Sequence, residues 1–269
     1  MINMTLKKKL RQSARHAYLS FVGLFSSPSS YVHILNGHMI ARHQGTKEDM
    51  LRYERLLEKL HKDCEFVNFQ DAVQMIVNKV PVTKPTIAFT FDDGFDDCYN
   101  FIAPVLEKYG INAMFFINPN FADAADNDDE DYISNFTNNT TLSPGKRPMT
   151  WAQIKDLQKR GFLFGAHTMD HYMVNHGSKE DLEYQIVECK EVLEAKLNTP
   201  CDYFAWPYGQ FKHTNKDAVN LACKTYKYVF SQSDHKHYFS FNGMVINRRH
   251  AEAWWPISHI RYFISCKRT

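Results

Sequence analysis

Two rhythms of apolar residues alternate along the chain. Thr86-Ile87-Ala88-Phe89-Thr90-Phe91 is a run of six mostly apolar, β-favouring residues and reads as a buried strand. Runs of the same kind occur at 31–35, 64–69, 112–118, 162–166, 201–206 and 226–231. Between them lie segments with helical spacing. The segment 46–62 carries Leu51, Leu56, Leu57 and Leu60 on one side, with Thr46 as a cap and Glu48 and Asp49 in the first turn. Further helices are expected at 71–78, 95–109, 151–160, 178–197, 215–224 and 257–264. Gly110 and Gly161 close two of these helices, Thr150 opens one, and Ser178 with Asp181 forms a near capping box. Residues 239–248 read as a hairpin turning at Asn242-Gly243. Strand and helix in alternation, with crossovers long enough for parallel pairing, predict an α/β fold, either a (β/α) barrel or an open parallel sheet.

Composition narrows this picture. The 269 residues suffice for one large α/β domain or two small ones, and 44% hydrophobic with 23% charged residues is ordinary for a globular chain. A net charge of +2 gives no global electrostatic case for nucleic acid. Six scattered cysteines with no CxxC pair exclude a zinc-finger site and read as free thiols in a reducing compartment.

Two segments depart from the pattern. Residues 5–25 form a basic amphipathic helix: Leu6, Leu10, Ala14, Ala17, Phe21 and Leu24 recur at helical spacing, beside Lys7, Lys8, Lys9, Arg11 and Arg15. It either packs on the domain or lies on a membrane surface. Its apolar run, 17–25, is too short to span a bilayer, and no A-x-A-like cleavage site follows. Residues 121–148 are acidic at first, then rich in Asn, Thr and Ser, and read as a long insertion, either a lid or a disordered loop.

The candidate chemistry sits at strand ends. The opening run stops at Asp92-Asp93-Gly94, where Gly94 permits a tight turn. Two acids ending a buried strand must be paired, metal-bound or solvated in a cleft, although an Asx turn or a helix N-cap would also place them there. His167 and His171, spaced i, i+4 after another strand, could share a zinc ion or be unrelated loop histidines. Thr168 stands where the HExxH protease pattern needs Glu, which disfavours that class.

Taken together, Thr-Phe-Asp-Asp-Gly, His-Thr-x-x-His and Phe204-Ala205-Trp206-Pro207-Tyr208-Gly209 resemble the NodB-homology polysaccharide deacetylases, carbohydrate esterase family 4, over roughly residues 31–250. The resemblance implies a distorted (β/α) barrel and a divalent metal, usually zinc, held by Asp93, His167 and His171. It implies Asp92 as general base, with the backbone N–H of Tyr208 completing the oxyanion site. The implied reaction is hydrolysis of the N-acetyl group of an N-acetylated sugar in a polysaccharide, oligosaccharide or glycolipid precursor.

Two positions depart from the family. Ala205 stands where an Arg often orients the base, leaving Arg248 or Arg249 as substitutes. No clean C-terminal Leu-x-His motif supplies a general acid; His250 and His259 are weak candidates. Instead Ile34-Leu35-Asn36-Gly37-His38 resembles the circularly permuted members, such as the poly-N-acetylglucosamine deacetylases, and implies His38 as the acid. Trp206 is a candidate for stacking on a sugar. The expected organisation is an extension, residues 1–30, followed by a catalytic domain, 31–269. Its expected location is the cytoplasm, with residues 5–25 as a contact for the inner membrane surface. The alternatives are a binding protein on the same fold that has lost catalysis, and a deacylase of a non-sugar amide.

Overall fold

A computed structural model describes residues 2–269; the side chains of residues 2–9 and Gln12 fall outside the description, and with them Leu6 and the basic run Lys7-Lys8-Lys9. The strands are β1 (Val32–Gly37), β2 (Glu65–Phe66), β3 (Thr86–Phe91), β4 (Ala113–Ile117), β5 (Leu163–Ala166), β6 (Tyr203–Ala205), β7 (Tyr228–Ser231), β8 (Phe239–Ser240), β9 (Val245–Asn247) and β10 (Arg249–His250). The helices are α1 (Ile2–Leu24), α2 (Lys47–His61), α3 (Phe69–Val77), α4 (Ala103–Glu107), α5 (Pro119–Asp126), α6 (Glu130–Asn135), α7 (Trp151–Lys159), α8 (Lys179–Leu182), α9 (Cys189–Leu197), α10 (Lys216–Thr225) and α11 (Ile257–Ser265).

The sheet runs β10-β1-β3-β4-β5-β6-β7-β9-β8, with β2 added beside β3. Every pairing is parallel except the β8–β9 hairpin. The curled sheet is joined at its ends by one short run of chain. β9 pairs with β7 and β10 pairs with β1, and a single residue, Arg248, separates them. This is the distorted (β/α) barrel expected from the alternation of elements.

Period two explains how continuous apolar strands build this shape. Along β3 and β4, Ile87, Phe89, Phe91, Ala113, Phe115 and Ile117 face the helices in the larger core. Ala88, Met114 and Phe116 face inward with Val32, Ile34, Ala205, Phe230 and Ile246. Both faces are covered, so β3 is buried at all six positions. Continuing the inward set 88, 90, 92 brings Thr90 and then Asp92 onto the interior side at the strand's end. Gly94, with φ of +79°, turns the chain there, and a Cβ would stand 3.1 Å from Ile117 Cδ1.

Three local expectations change. Residues 121–148 are not a disordered loop. They form α5, α6 and a wide turn at Phe136–Thr140, held by a small core of Met39, Phe95, Phe121, Ala124, Ile133 and Phe136. Phe121 and Phe136 stack at 3.8 Å between ring centroids. At the end of the insertion, Lys146 Nζ donates to Asp97 Oδ2 at 2.6 Å, with both side chains fully buried. The strand expected over 64–69 shortens to two residues because Asn68 and Phe69 open α3. The helix expected over 95–109 begins later, with a wide turn at Cys98–Ile102 leading into α4. All six cysteines are free thiols. No helix among the described residues is long and apolar enough to cross a membrane.

Candidate active site and metal centre

The C-terminal ends of β1, β3, β5 and β6 bring the expected residues together. Asp92 and Asp93 follow β3, His167 and His171 follow β5, Tyr208 follows β6 and His38 follows β1. Asp92, Asp93, His167 and His171 are all buried. The histidine loop is not helical. It is pinned by Asn118, whose amide donates to the carbonyls of His167 and Thr168, and by Asp170, which accepts from Asn120, Tyr132 and Gln185. Asp93, Thr168, His171 and Tyr208 all have left-handed backbone, with φ between +56° and +74°. Each such residue costs roughly 1–3 kcal/mol, and their clustering around one cleft marks where the fold tolerates strain.

Asp93 carries the evidence for a cation. His167 Nδ1 lies 2.7 Å from the Ala205 carbonyl, to which it must donate, so the neutral ring turns its Nε2 lone pair toward Asp93. That Nε2 lies 3.4 Å from Asp93 Oδ1, and His171 Nε2 lies 3.2 Å from the same oxygen. Asp93 Oδ1 is buried and accepts no hydrogen bond. Burial would raise the Asp93 carboxyl; the two imidazoles, which attract the carboxylate only in so far as they carry a proton, pull it well below the usual range. Burial lowers His171, which favours the neutral, ligating imidazole. One carboxylate oxygen and two imidazole nitrogens converge among buried side chains, a donor set that could hold a divalent transition metal.

Asp92 is held differently. Arg248 Nη1 donates to Asp92 Oδ1 at 2.7 Å and Nη2 donates to Oδ2 at 2.9 Å. Asn36 Nδ2 adds a third donor at 3.0 Å. Arg248 is itself fully buried, gives Nη1 also to Asn36 Oδ1 and Thr90 Oγ1, and stacks over Phe116 at 4.8 Å. Burial alone would raise Asp92; the Arg248 charge overrides it and keeps the carboxyl below its ordinary value. Ala205 faces the barrel interior. Arg248 enters that interior from the run that joins the ends of the sheet, whereas Arg249, one residue on, points away and donates to the Cys266 carbonyl.

His38 stands across the cleft. Its Nδ1 lies 2.7 Å from Glu252 Oε1, its backbone N–H donates to Glu252 Oε2, and its Nε2 is the remaining ring nitrogen. Burial pulls His38 down, but Glu252 overrides it and raises the imidazole to about 10. Reciprocally, burial would raise Glu252, and His38 lowers it to about 2. His250 Nε2 meets the same Glu252 Oε1 at 2.8 Å. His259 lies elsewhere, against His16 and Ser20 of α1. Sequence reasoning missed Glu252, since two residues after a histidine is not a motif; only the fold brings it to His38.

A cavity of about 390 Å³ opens over these groups, walled by His38, Asp93, His171, Tyr208, Trp254 and the insertion residues 140–143. A larger hollow of about 710 Å³ lies at the opposite end of the barrel, beside Tyr31 and Tyr238, and contains none of these groups. Trp206 is not in the cleft, contrary to expectation. Its side chain is buried, packs edge-on to Phe241 and donates Nε1 to the Gln210 carbonyl. Leaving β6, it turns into the outer core, and half-buried Trp254, with Arg42 over its ring at 5.9 Å, is the indole that lines the cavity.

Known proteins share this geometry's framework. The solved structure of IcaB from Ammonifex degensii superposes with a TM-score of 0.67 at 18% identity, covering 89% of this chain and 99% of that one. The Streptococcus pyogenes deacetylase PplD, solved in complex with acetate, gives 0.64 at 17% identity, covering 88% and 99%. These likenesses carry the fold. The YxkH protein of Bacillus subtilis (strain 168) is 22% identical over 194 residues, or 71% of this chain; the chain spans 61% of that relative's length. The family model described as polysaccharide deacetylase matches residues 79–226, from before the Asp92-Asp93 strand to beyond Tyr208. With more than half of the sequence matched, the chain belongs to the polysaccharide deacetylase family.

Proposed function

We propose that the chain is a divalent-metal hydrolase that removes the N-acetyl group from an N-acetylated sugar in a glycan or glycolipid precursor, with zinc as the metal. The observation that carries this reading is the unpartnered Asp93 Oδ1 facing two imidazole nitrogens, one residue from a carboxylate locked by Arg248. Asp93, His167 and His171 would hold the metal, which supplies Lewis acidity toward the amide carbonyl and the attacking water.

The protein's own groups complete the reaction. Asp92, ionised at neutral pH, takes a proton from water as the O–C bond forms. The backbone N–H of Tyr208 donates to the amide oxygen as it gains charge. His38, charged through Glu252, gives its Nε2 proton to the departing amine as the C–N bond breaks, leaving acetate and a free amino sugar. Trp254 offers a face for a pyranose ring. Arg248 performs the orienting role left open at Ala205, which removes the sequence's main reason to regard the site as impaired. His38, just after β1 and ahead of Asp92 in the chain, fits the circularly permuted members.

Acetate release from N-acetylated oligosaccharides tests this directly. Chelation should abolish release and zinc should restore it. Release that persists in metal-free protein overturns the metal assignment, and no release from the zinc-loaded protein on any N-acetylated glycan overturns the substrate class.

A further inference from the structure

Helix α1 has two faces that the barrel treats unequally. On one, Leu19 and Gly23 are buried. Gly23 lies so close to α11 that an added Cβ would fall 1.8 Å from the Ser258 carbonyl oxygen, so only glycine fits. Ser20 Oγ and His259 Nε2 lie 3.0 Å apart, and the His16 and His259 rings meet at 4.5 Å. This face anchors α1 to the domain.

The opposite face is apolar and exposed. Leu10, Phe21, Leu24 and Phe25 are 61–79% exposed, and Tyr18 is 56% exposed. Positions 10, 14, 21 and 25 fall at helical spacings of four and seven, so Leu10, Ala14, Phe21 and Phe25 share one stripe. The Phe21 and Phe25 rings touch edge to face at 5.5 Å. A contiguous stripe of this kind, unlike apolar residues exposed singly, marks an interaction surface.

Charge identifies what covers it. Residues 1–46 contain Lys7, Lys8, Lys9, Arg11, Arg15 and Arg42 and no Asp or Glu. Arg11 and Arg15 are exposed, one turn apart beside the apolar stripe. An exposed apolar stripe flanked only by cations complements an anionic lipid surface, where rings enter the acyl boundary and guanidiniums meet headgroup phosphates. A protein partner or a second copy would find no carboxylate on this helix to pair with its own cations.

We propose that residues 10–25 dock the protein peripherally on an anionic bilayer. The anchored face carries this surface close to the cleft. From His16 a line of aromatic contacts runs through His259, Trp255 and His250 to His38, at successive centroid distances of 4.5, 6.1, 4.8 and 5.7 Å.

The test is co-sedimentation of the full chain with phosphatidylcholine vesicles, with and without phosphatidylglycerol. Wild-type protein should sediment with the anionic vesicles and weakly with the neutral ones. Phe21→Ser with Phe25→Ser, both on exposed positions, should weaken binding about tenfold or more. Arg11→Gln with Arg15→Gln should weaken it about fivefold per charge and flatten its salt dependence. Acetate release from a soluble N-acetylated oligosaccharide, measured in parallel, should be unchanged in both variants; this keeps a failure of the enzymatic reading separate from a failure of docking. Wild-type protein that ignores anionic vesicles, or binding indifferent to Phe21→Ser/Phe25→Ser, overturns the proposal. So does a stable dimer that the same double variant dissociates, which would give the face to a second copy.

Discussion

Arg248 grips both carboxylate oxygens of Asp92, at 2.7 and 2.9 Å, across 156 positions of sequence. Both side chains are sealed from solvent, and the guanidinium is further tied to Asn36 and Thr90. An ion pair this deep stabilises little in net terms, but removing one partner strands the other. Arg248→Ala should therefore lower unfolding free energy by about 3–5 kcal/mol in a denaturant melt. Arg248→Lys keeps the charge and loses the bidentate fork, so it should fold and yet lose activity. A lysine variant with full activity would show that charge alone suffices and that the fork has no orienting role.

Glu252 controls the protonation of His38, the proposed general acid. Burial lowers the imidazole and the Glu252 carboxylate more than reverses this, raising it from 6.5 to about 10. A raised folded-state value means that the pair's contribution to stability is complete below pH 6.5 and is lost as pH climbs toward 10. Glu252 falls from 4.5 to about 2, so its own contribution is lost as pH drops through that interval. In Glu252→Gln the largest effect opposing burial is gone, only the more distant charges of Asp93 and Asp92 still favour the imidazolium, and His38 loses its proton at lower pH. The alkaline limb of the kcat profile should move down by more than one pH unit. A limb that stays in place would remove His38 from the role of acid.

Asp93, the proposed metal ligand, can be tested with an amide. Asp93→Asn keeps the shape and replaces one oxygen by a donor that can satisfy a facing histidine nitrogen. Zinc affinity, measured by competition with a chelator, should fall by at least tenfold. The metal-free variant should melt at or above the metal-free wild type, because the crowding of lone pairs at Asp93 Oδ1 is relieved. Unchanged zinc affinity would mean that the ion binds elsewhere.

The insertion depends on one buried bridge. Lys146 reaches Asp97, which also accepts from the Ile40 N–H, and both ionic side chains have no exposure. Lys146→Met should destabilise by about 3–5 kcal/mol by leaving Asp97 unpaired. Limited proteolysis should then cut first between 119 and 148. Cleavage at wild-type rate would show that the Phe121–Phe136 stack holds the segment without the bridge.

Much of this was legible in the sequence because it is local. Alternating runs gave the barrel, Asp92-Asp93-Gly94 announced a turn with two acids, and caps such as Thr46, Thr150 and Ser178 form as their spacing implied. What depends on closure was not. Choosing between Arg248 and Arg249 required knowing which residue faces inward where β9 passes to β10. Glu252 meets His38 only because β10 pairs with β1. The insertion hid its order because its acids and amides outnumber the few aromatics that hold it. Trp206 looked available at a strand end, but the turn after Ala205 sends its ring into the core.

In the proposed mechanism Asp92 is a base beside a metal held by Asp93, His167 and His171. Its most direct test is acetate release by zinc-loaded Asp92→Asn on an N-acetylated oligosaccharide, with zinc content and melting temperature measured on the same sample. We expect wild-type release, and a loss of about 10²–10⁴-fold in a variant that still binds zinc and remains folded. Undiminished release from that folded, zinc-bound variant would remove Asp92 from the role of base.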